Sequence, residues 1–203
     1  MRIDFFVEEP SAEAALGNLL PRILPNEVAF EIRNFQSKDT LLKELPKRLR
    51  GYKRWFPSDL RIVVLIDEDR QDCKKLKARL ENSARQAGLK TKSQSRKFQI
   101  LNRIVVEELE AWFFGDVEAL VAAYPKIPAN LANNEKYRDP DAITGGTWEV
   151  LERLLQRYGY YSGGLPKIEV ARKISEFMDP ARNRSKSFQV FREGLTSVLE
   201  SFE

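Results

Sequence analysis

Acidic residues that could bind a metal ion stand at the ends of two apolar segments. In the stretch VVLIDEDRQD, Asp67 and Asp69 follow a run of apolar residues, and Glu8 follows the apolar stretch FFV. Carboxylates brought together repel one another, and their oxygens favour a hard divalent cation such as Mg²⁺ or Mn²⁺. Such a site supports phosphodiester chemistry. A simpler interpretation stays open, in which these acids are solvated residues at the start of loops.

The absence of histidine narrows the chemistry further. The 203-residue sequence has no histidine and a single cysteine, Cys73. These counts exclude Ser-His-Asp and Cys-His catalysis, histidine-ligated metals, multi-cysteine zinc sites and an intramolecular disulfide. An enzyme of this composition must use carboxylates, lysines, arginines or a carboxylate-bound cation. Because the formal net charge is only +4, local clusters of charge matter more than the total.

The acids meet in space if the apolar segments are neighbouring parallel strands. The patterns predict strands over residues 2–8, 27–35, 61–69 and 98–106, and a helical pattern follows each of them. This alternation predicts an α/β fold with a mostly parallel, Rossmann-like sheet flanked by helices. Ligands bind such sheets at the carboxyl ends of the strands, where Glu8, Asp67 and Asp69 fall. On an extended backbone, Asp67 and Asp69 point to the same side.

The character of the sequence changes after Pro125. A polar connector is followed by helical patterns over residues 147–158, 166–178 and 187–201, without a strand signal. We therefore predict an α/β core over residues 1–125 and a helical C-terminal section, residues 126–203, packed on it. No segment approaches the ~20 apolar residues of a membrane span, and the N-terminus lacks a signal-peptide core. We predict a cytoplasmic protein.

The order of the acids resembles the Toprim domain of topoisomerases, primases and overcoming-lysogenization-defect (OLD) nucleases. In this resemblance, Glu8 corresponds to the glutamate after the first strand, and Asp67 and Asp69 correspond to the D-x-D pair. Toprim proteins usually have glycine after the glutamate, whereas Glu9 and Pro10 follow here. The resemblance implies a Toprim-like fold and a metal site.

Later segments resemble an uncharacterised bacterial Toprim-like family, a domain of unknown function found beside ATPases in some genomes. EELEAWFFGD is similar to its E-x-E-A-W stretch, and KIEVARKI and SFQVF are similar to its later motifs. The resemblance implies that Glu110 joins the metal site and that Lys167 stabilises charge on a transferring phosphate. Structural roles for both stay open, because acids favour the first turn of any helix and lysine is common on surfaces. We predict Asp116 as a helix N-cap and Trp112 as a core residue.

The basic and aromatic stretch KELPKRLRGYKRWFP, residues 43–57, is a candidate nucleic-acid surface. Its cations suit phosphates, and its aromatic side chains suit stacking with unpaired bases. The predicted nucleic-acid contacts are Arg48, Arg50, Lys53 and Arg54. The alternative is an amphipathic helix with buried leucines and a solvated basic face. Pro46 is expected to kink or split this helix.

Two functions follow as hypotheses. The first is a Mg²⁺- or Mn²⁺-dependent phosphodiester-acting enzyme, a nuclease in a bacterial defence-type system. The second is a non-catalytic Toprim-like module that binds nucleic acid or an ATPase partner. A phosphoacceptor receiver domain is disfavoured, because the expected lysine after a fifth strand is missing. The sequence leaves open the oligomeric state and the choice among DNA, RNA and nucleotides.

Overall fold

A parallel sheet lies at the centre of the protein in a computed structural model, which describes residues 1–52, 55–69 and 71–202. Within these residues, the strands are β1 (Arg2–Val7), β2 (Ala29–Asn34), β3 (Leu60–Asp67) and β4 (Ile100–Val105). The strand order is β2-β1-β3-β4, and all pairings in this sheet are parallel. The carboxyl ends of the strands therefore lie at one end of the sheet, and the predicted α/β fold is confirmed.

Helices cover both faces of this sheet. The helices are α1 (Pro10–Ile23), α2 (Lys38–Tyr52), α3 (Cys73–Gln86), α4 (Glu110–Gly115), α5 (Val117–Ala123), α6 (Glu135–Arg138), α7 (Thr147–Arg157), α8 (Lys167–Phe177) and α9 (Lys186–Glu200), with short 3₁₀ turns at Leu131–Asn133 and Pro140–Ala142. Strand β3 is buried on both sides, as its continuous apolar run predicts. Its alternate side chains pack against α2 and α3 on one face, and against α1 and the C-terminal helices on the other.

The C-terminal helices share the core of the α/β section. Helix α8 packs along α1 and α5, and α9 packs on β4. Asn18 of α1 donates to the carbonyl of Arg172 at 2.9 Å, which ties α1 to α8. Trp112 is fully buried against Phe188 and Phe191 of α9, as its predicted core role requires. In the described part of the chain, no helix has both the length and the apolar character needed to cross a membrane.

Helix α2 departs from the sequence prediction at Pro46. Proline removes one backbone hydrogen bond, yet the helix continues without interruption from Lys38 to Tyr52. The leucines at positions 41, 42, 45 and 49 are buried against the sheet. Tertiary packing of this apolar face holds the helix together, since packing contributes more to helix stability than local propensity. The sequence predicts a kink or a split at Pro46; the split is wrong, and the kink stays a prediction.

Candidate active site

Glu8 is a buried acid at the carboxyl end of β1, with a relative exposure of only 4%. Its Oε1 accepts a hydrogen bond from the backbone N–H of Asp67 at 3.1 Å. Its Oε2 is buried and has no hydrogen-bond partner among the described residues. Burial raises the pKa of Glu8 to about 7; the Lys38 ammonium opposes this rise and the Asp69 carboxylate adds to it. One oxygen of Glu8 is thus held by the backbone of β3, and the hydrogen-bonding capacity of the other is unsatisfied among the described residues.

Asp67 ends β3 and joins the same cluster of acids. Its Oδ2 accepts a hydrogen bond from the backbone N–H of Leu109 at 3.2 Å. Burial raises the pKa of Asp67 well above its usual range, and the carboxylates of Glu8, Glu110 and Asp69 raise it further. The amide of Asp67 also donates to Glu8 Oε1, so Glu8 and Asp67 are in direct contact where β1 and β3 end, and Glu110 of α4 acts on Asp67 through its charge.

Glu110, the first residue of α4, is also buried, with an exposure of 5%. Burial raises its pKa to about 7; the ammonium of Lys167 opposes the rise, and the carboxylates of Glu108 and Glu9 add to it. Lys167 begins α8, and its Nζ lies 3.9 Å from Glu9 Oε2 and 4.6 Å from the centre of the Trp148 ring. The packing of α8 on α1 thus places Lys167 beside the acids, although it lies far away in the sequence.

The backbone conformation that positions Asp69 differs from the predicted extended strand. Strand β3 ends at Asp67, and Asp69 has a φ of 48°, so the backbone is no longer extended between them. The prediction that strand alternation aligns the two aspartates is therefore wrong. The Asp69 side chain is 43% exposed, and its Oδ2 lies 2.7 Å from the Nζ of Lys38. Asp69 nevertheless stays close enough to Glu8 to raise the pKa of that residue.

Lys38 is a candidate functional residue that the sequence did not reveal. It begins α2, and its side chain is only 10% exposed. A lysine in the first turn opposes the helix dipole, so its place is explained by the acids and not by the helix. The one available signal was this unfavourable position, which is too weak to single out a residue by itself. As the side chains stand, Lys38 supplies positive charge to the acidic cluster.

The number and chemical type of the donor atoms determine whether this cluster suits a metal ion. Within residues 1–52, 55–69 and 71–202, no three His, Cys, Asp or Glu side chains are placed to hold an ion as they stand. The donors present are carboxylate oxygens, which Mg²⁺ and Mn²⁺ prefer, and the buried Glu8 Oε2 lacks a partner. The type of donor therefore suits a hard cation, but the present arrangement of the described residues does not supply three ligands, so binding requires the Asp69 carboxylate to leave Lys38 and turn to the ion.

Two neighbouring acids have structural roles. Glu108 accepts hydrogen bonds from the Thr147 hydroxyl at 2.9 Å and from the Trp148 backbone N–H at 2.8 Å, and so anchors the start of α7. Asp116 accepts a hydrogen bond from the N–H of Ala119 at 3.2 Å, which confirms the predicted N-cap of α5. Neither carboxylate is available to a ligand without breaking these contacts.

The basic stretch lies mainly at the other end of the molecule from the acids. Helix α2 starts with Lys38 beside Asp69 and ends with Tyr52, whose hydroxyl donates to Asp4 of β1 at 3.3 Å. Arg48 follows Lys38 by ten residues, or about 15 Å of helix. The buried leucines and basic outer face match the amphipathic alternative.

Arg48 and Arg50 are exposed, whereas Lys53 and Arg54 lie outside the described residues. A groove of about 330 Å³ runs beside β2 and α2, from Gln36 and Thr40 to Tyr52. Arg33 and Arg48 line this groove. Each arginine pairs with an acid, at 2.7 Å for Arg33 with Glu31 and at 3.5 Å for Arg48 with Glu44. The groove joins the region of Lys38 to Arg48.

The fold and the acidic cluster together define an α/β protein with buried carboxylates at the carboxyl ends of parallel strands. The chain belongs to the family described as "Domain of unknown function (DUF4276)", which matches residues 7–196. No curated protein matches the chain, and no solved structure does. The matched range contains Glu8, Asp67, Asp69, Glu110 and Lys167.

Proposed function

We propose that the protein is a Mg²⁺- or Mn²⁺-dependent phosphodiester-acting enzyme, a nuclease with a Toprim-like site. The observation that carries the proposal is the contact between Glu8 and Asp67 where the parallel strands β1 and β3 end, with the Asp67 amide 3.1 Å from Glu8 Oε1 and the charge of the buried Glu110 acting on Asp67. Burying like charges together costs free energy unless a cation offsets it. Groups of this kind are concentrated at functional sites.

Four acids share one part in this proposal. Glu8, Asp67, Asp69 and Glu110 hold the cation through carboxylate oxygens. When bound, the ion polarises a phosphate and lowers the pKa of water, which is the chemistry that phosphodiester hydrolysis requires. The hydrogen bond from the Asp67 amide fixes the Glu8 carboxylate, so its Oε2 is oriented before a ligand arrives. Asp69 releases Lys38, whose ammonium then pairs with a phosphate oxygen.

Lys167 is the second cation available to the substrate. Its side chain is 42% exposed and lies above the Trp148 ring, and its charge opposes the rise in the pKa of the buried Glu110. A lysine in this position can pair with a phosphate oxygen and stabilise the charge that develops during transfer. Its present contact with Glu9, at 3.9 Å, is long for a charged hydrogen bond and can be exchanged for a phosphate.

The groove beside β2 offers a route for the rest of a nucleic acid. It starts near the beginning of α2 and passes Arg33 and Arg48, which suit phosphates once they leave their acidic partners. We extend the proposal to contacts from Arg50, Lys53 and Arg54, which continue the basic stretch in sequence. A cytoplasmic location and a role in bacterial defence belong to the same proposal.

A cleavage assay tests the proposal directly. Labelled single-stranded DNA, duplex DNA and RNA are incubated with the protein and Mn²⁺ or Mg²⁺, with and without EDTA. We expect cleavage that EDTA abolishes and that Asp67→Asn lowers by about 100-fold or more, as removal of a metal ligand should. Glu176→Gln, at an exposed position on α8, is the matched control and keeps full activity.

Thermal unfolding of each variant shows whether a loss of cleavage reflects a loss of folding. Wild-type protein that cleaves none of the three substrates with either ion contradicts the nuclease proposal. Undiminished cleavage by a folded Asp67→Asn variant contradicts the assigned site.

A non-catalytic module that binds nucleic acid or an ATPase is the second candidate. The ion pair between Lys38 and Asp69 favours it, because a protein cation already balances part of the acidic charge. Calorimetric titration with Mn²⁺ separates the two functions. Binding that Glu8→Gln removes supports the enzyme, whereas no heat of binding together with a stable complex with nucleic acid or an ATPase supports the module.

A further inference from the structure

Strand β4 forms one edge of the sheet, and its outer side is only partly covered. Its hydrogen bonds to β3 alternate, so the backbone groups of Ile100, Asn102 and Ile104 face outward. At Ile100 the edge is paired with a short extended segment, through the Lys90 carbonyl and the Lys92 N–H, both at 3.1 Å. Beyond that point, no backbone group in the described part of the chain pairs with the outward N–H of Asn102 or Ile104.

A groove of about 520 Å³ lies against this uncovered part of β4. Ala78 of α3 lines it on one side and Val190 of α9 on the other. Ile104 and Val106 add further apolar surface from the strand and its end. The groove thus lies where the next strand of the sheet would lie, with a helix layer on either side.

The groove is also positively charged. Lys74, Lys77 and Arg103 line it, against the single carboxylate of Glu81 among its described residues. The Nζ of Lys77 and the Nη1 of Arg103 both donate to the outward carbonyl of Asn102, at 2.6 and 3.2 Å. Burial lowers the pKa of Lys77 and of Arg103, although Lys77 already pairs with Glu81 at 3.3 Å. An added carboxylate nearby would supply further counter-charge, most of all to Lys74 and Arg103.

Arg103 is held at the groove by α9. Its Nε donates to the carbonyl of Val190 at 3.2 Å. The guanidinium passes directly over Gly194, where an added Cβ would lie 2.7 Å from Nε. Only glycine leaves this space, so the position of the cation is built into the packing of α9 on β4.

We propose that the β4 edge binds an extended, acidic segment of a partner protein as a fifth strand. The N–H groups of Asn102 and Ile104 donate to the segment, and its apolar side chains pack in the groove. Its carboxylates lie beside Lys74, Lys77 and Arg103. Without a partner, the contacts of Lys77 and Arg103 with the strand protect the open edge, as charged side chains do on edge strands.

The positive charge of the groove favours an acidic partner segment over a second copy of the chain. Pairing β4 with β4 of another copy would bring Lys74, Lys77 and Arg103 against the same three cations. Like charges placed opposite each other destabilise a strand pair. An acidic segment removes this repulsion and supplies counter-charges to desolvated cations. The inference is independent of the proposed nuclease activity, because it uses no residue of the acidic cluster.

Selection from a random peptide display library shows which kind of peptide sequence binds the protein. We expect enriched sequences in which acids alternate with β-branched apolar residues. Hydrogen exchange of the Asn102 and Ile104 amides should slow when a synthetic peptide of the enriched sequence is added.

Cys73 is exposed, lines the groove and is the one cysteine in the sequence. A terminal cysteine on the peptide, supplied as its 2-thiopyridyl mixed disulfide, should therefore exchange with the Cys73 thiolate, forming the protein–peptide disulfide and releasing 2-thiopyridone.

Matched charge reversals on α3 test the groove itself. Lys74→Glu should weaken peptide binding by about tenfold, as reversal of a charge at an interface does. Lys75→Glu, at an exposed neighbouring position outside the groove, should leave binding unchanged. Ile104→Pro removes an outward N–H and should abolish slowed exchange at Asn102.

Several results overturn the proposal. These are enrichment of basic or helical peptides, equal binding by the two reversal variants, and no enrichment at all. A homodimer that Ile104→Pro dissociates would show that a second copy occupies the edge. Nucleic-acid binding that Lys74→Glu selectively weakens would assign the groove to phosphates.

Discussion

The ammonium of Lys38 lies 2.7 Å from the Asp69 carboxylate, at the end of the sheet where Glu8 is buried. The ammonium also opposes the rise in the pKa of Glu8, so one lysine influences two acids of the cluster. In the proposed enzyme, a protein cation and a metal ion would pair with the same acids in turn. Removal of the Lys38 charge and removal of the Glu8 charge should therefore have opposite effects on the metal-free protein.

Substitution of Lys38 by methionine should destabilise the metal-free protein. It keeps most of the side-chain volume but removes the charge, and we expect the free energy of unfolding to fall by about 1–2 kcal/mol. Mn²⁺ should raise the unfolding temperature of Lys38→Met more than that of the wild type, because the ion replaces the missing charge. Differential scanning calorimetry with EDTA or Mn²⁺ measures both effects. Lys47→Met, at an exposed position on α2, is the control, and an equal response of both variants to Mn²⁺ contradicts the prediction.

Substitution of Glu8 by glutamine should stabilise the metal-free protein while weakening metal binding. The change removes one of several crowded carboxylates and keeps the shape of the side chain, so repulsion in the cluster falls. Because burial raises the pKa of Glu8 to about 7, this repulsion is present above that pH and lost below it. We therefore expect a gain of about 1–2 kcal/mol in the free energy of unfolding in EDTA at about pH 8.5, and a smaller gain at about pH 5. Urea denaturation measures both gains, and calorimetry measures the expected loss of Mn²⁺ binding. Retained Mn²⁺ affinity in Glu8→Gln would remove Glu8 from the site.

Glu81 should make stability depend on pH in acid. Burial of its carboxylate opposes ionisation, but hydrogen bonds from Ser93, Thr91 and Asn102 lower its pKa to about 2, against the usual 4.5. A depressed pKa gives stability that is fully present above about pH 4.5 and is lost as pH falls towards about 2. Glu81→Gln should therefore cost about 1–2 kcal/mol near neutral pH and much less near pH 2. Urea unfolding across this range measures the difference, which a pH-independent cost would contradict.

Asp116 should be a major contributor to the stability of the C-terminal section. Its fully buried carboxylate accepts two hydrogen bonds from Arg182, at 2.9 and 3.0 Å, and one from the N–H of Asp179 at 2.8 Å. Asp116→Ala should lower the free energy of unfolding by about 3–5 kcal/mol, since it removes a buried charge partner and a helix cap. Arg182→Lys should cost less but be measurable, because lysine cannot make the paired contact. Arg184→Lys, at an exposed position, should be neutral, and equal costs for the two lysine variants would contradict this account.

The sheet could be predicted because its signals are local. Strand β3 is a continuous apolar run that only a strand covered on both faces explains, and parallel pairing then brings Glu8 and Asp67 to one end. The predicted strand boundaries differ from the observed ones by up to two residues. Asp116 was equally predictable, because a helix N-cap depends on the next three residues alone.

The remaining features depend on relationships that local patterns do not contain. Asp69 adopts a left-handed backbone, which aspartate tolerates but no neighbouring residue signals. Lys38 matters only because α2 starts beside Asp69. The remote position of Arg48 follows from connectivity, since a helix that links the carboxyl end of β2 to the amino end of β3 must run back along the sheet. That consequence could have been drawn once parallel strands were predicted.

The packing of α8 on α1 has a consequence during synthesis of the protein. Glu8 emerges from the ribosome well before Lys167, which lies in a helix that ends at Phe177. Contacts between such distant segments form only after the intervening chain is available. A nascent or truncated chain that lacks α8 therefore has the acids without Lys167. The grouping of Lys167 with the acids thus forms only after the whole segment from Glu8 to Phe177 has been synthesised.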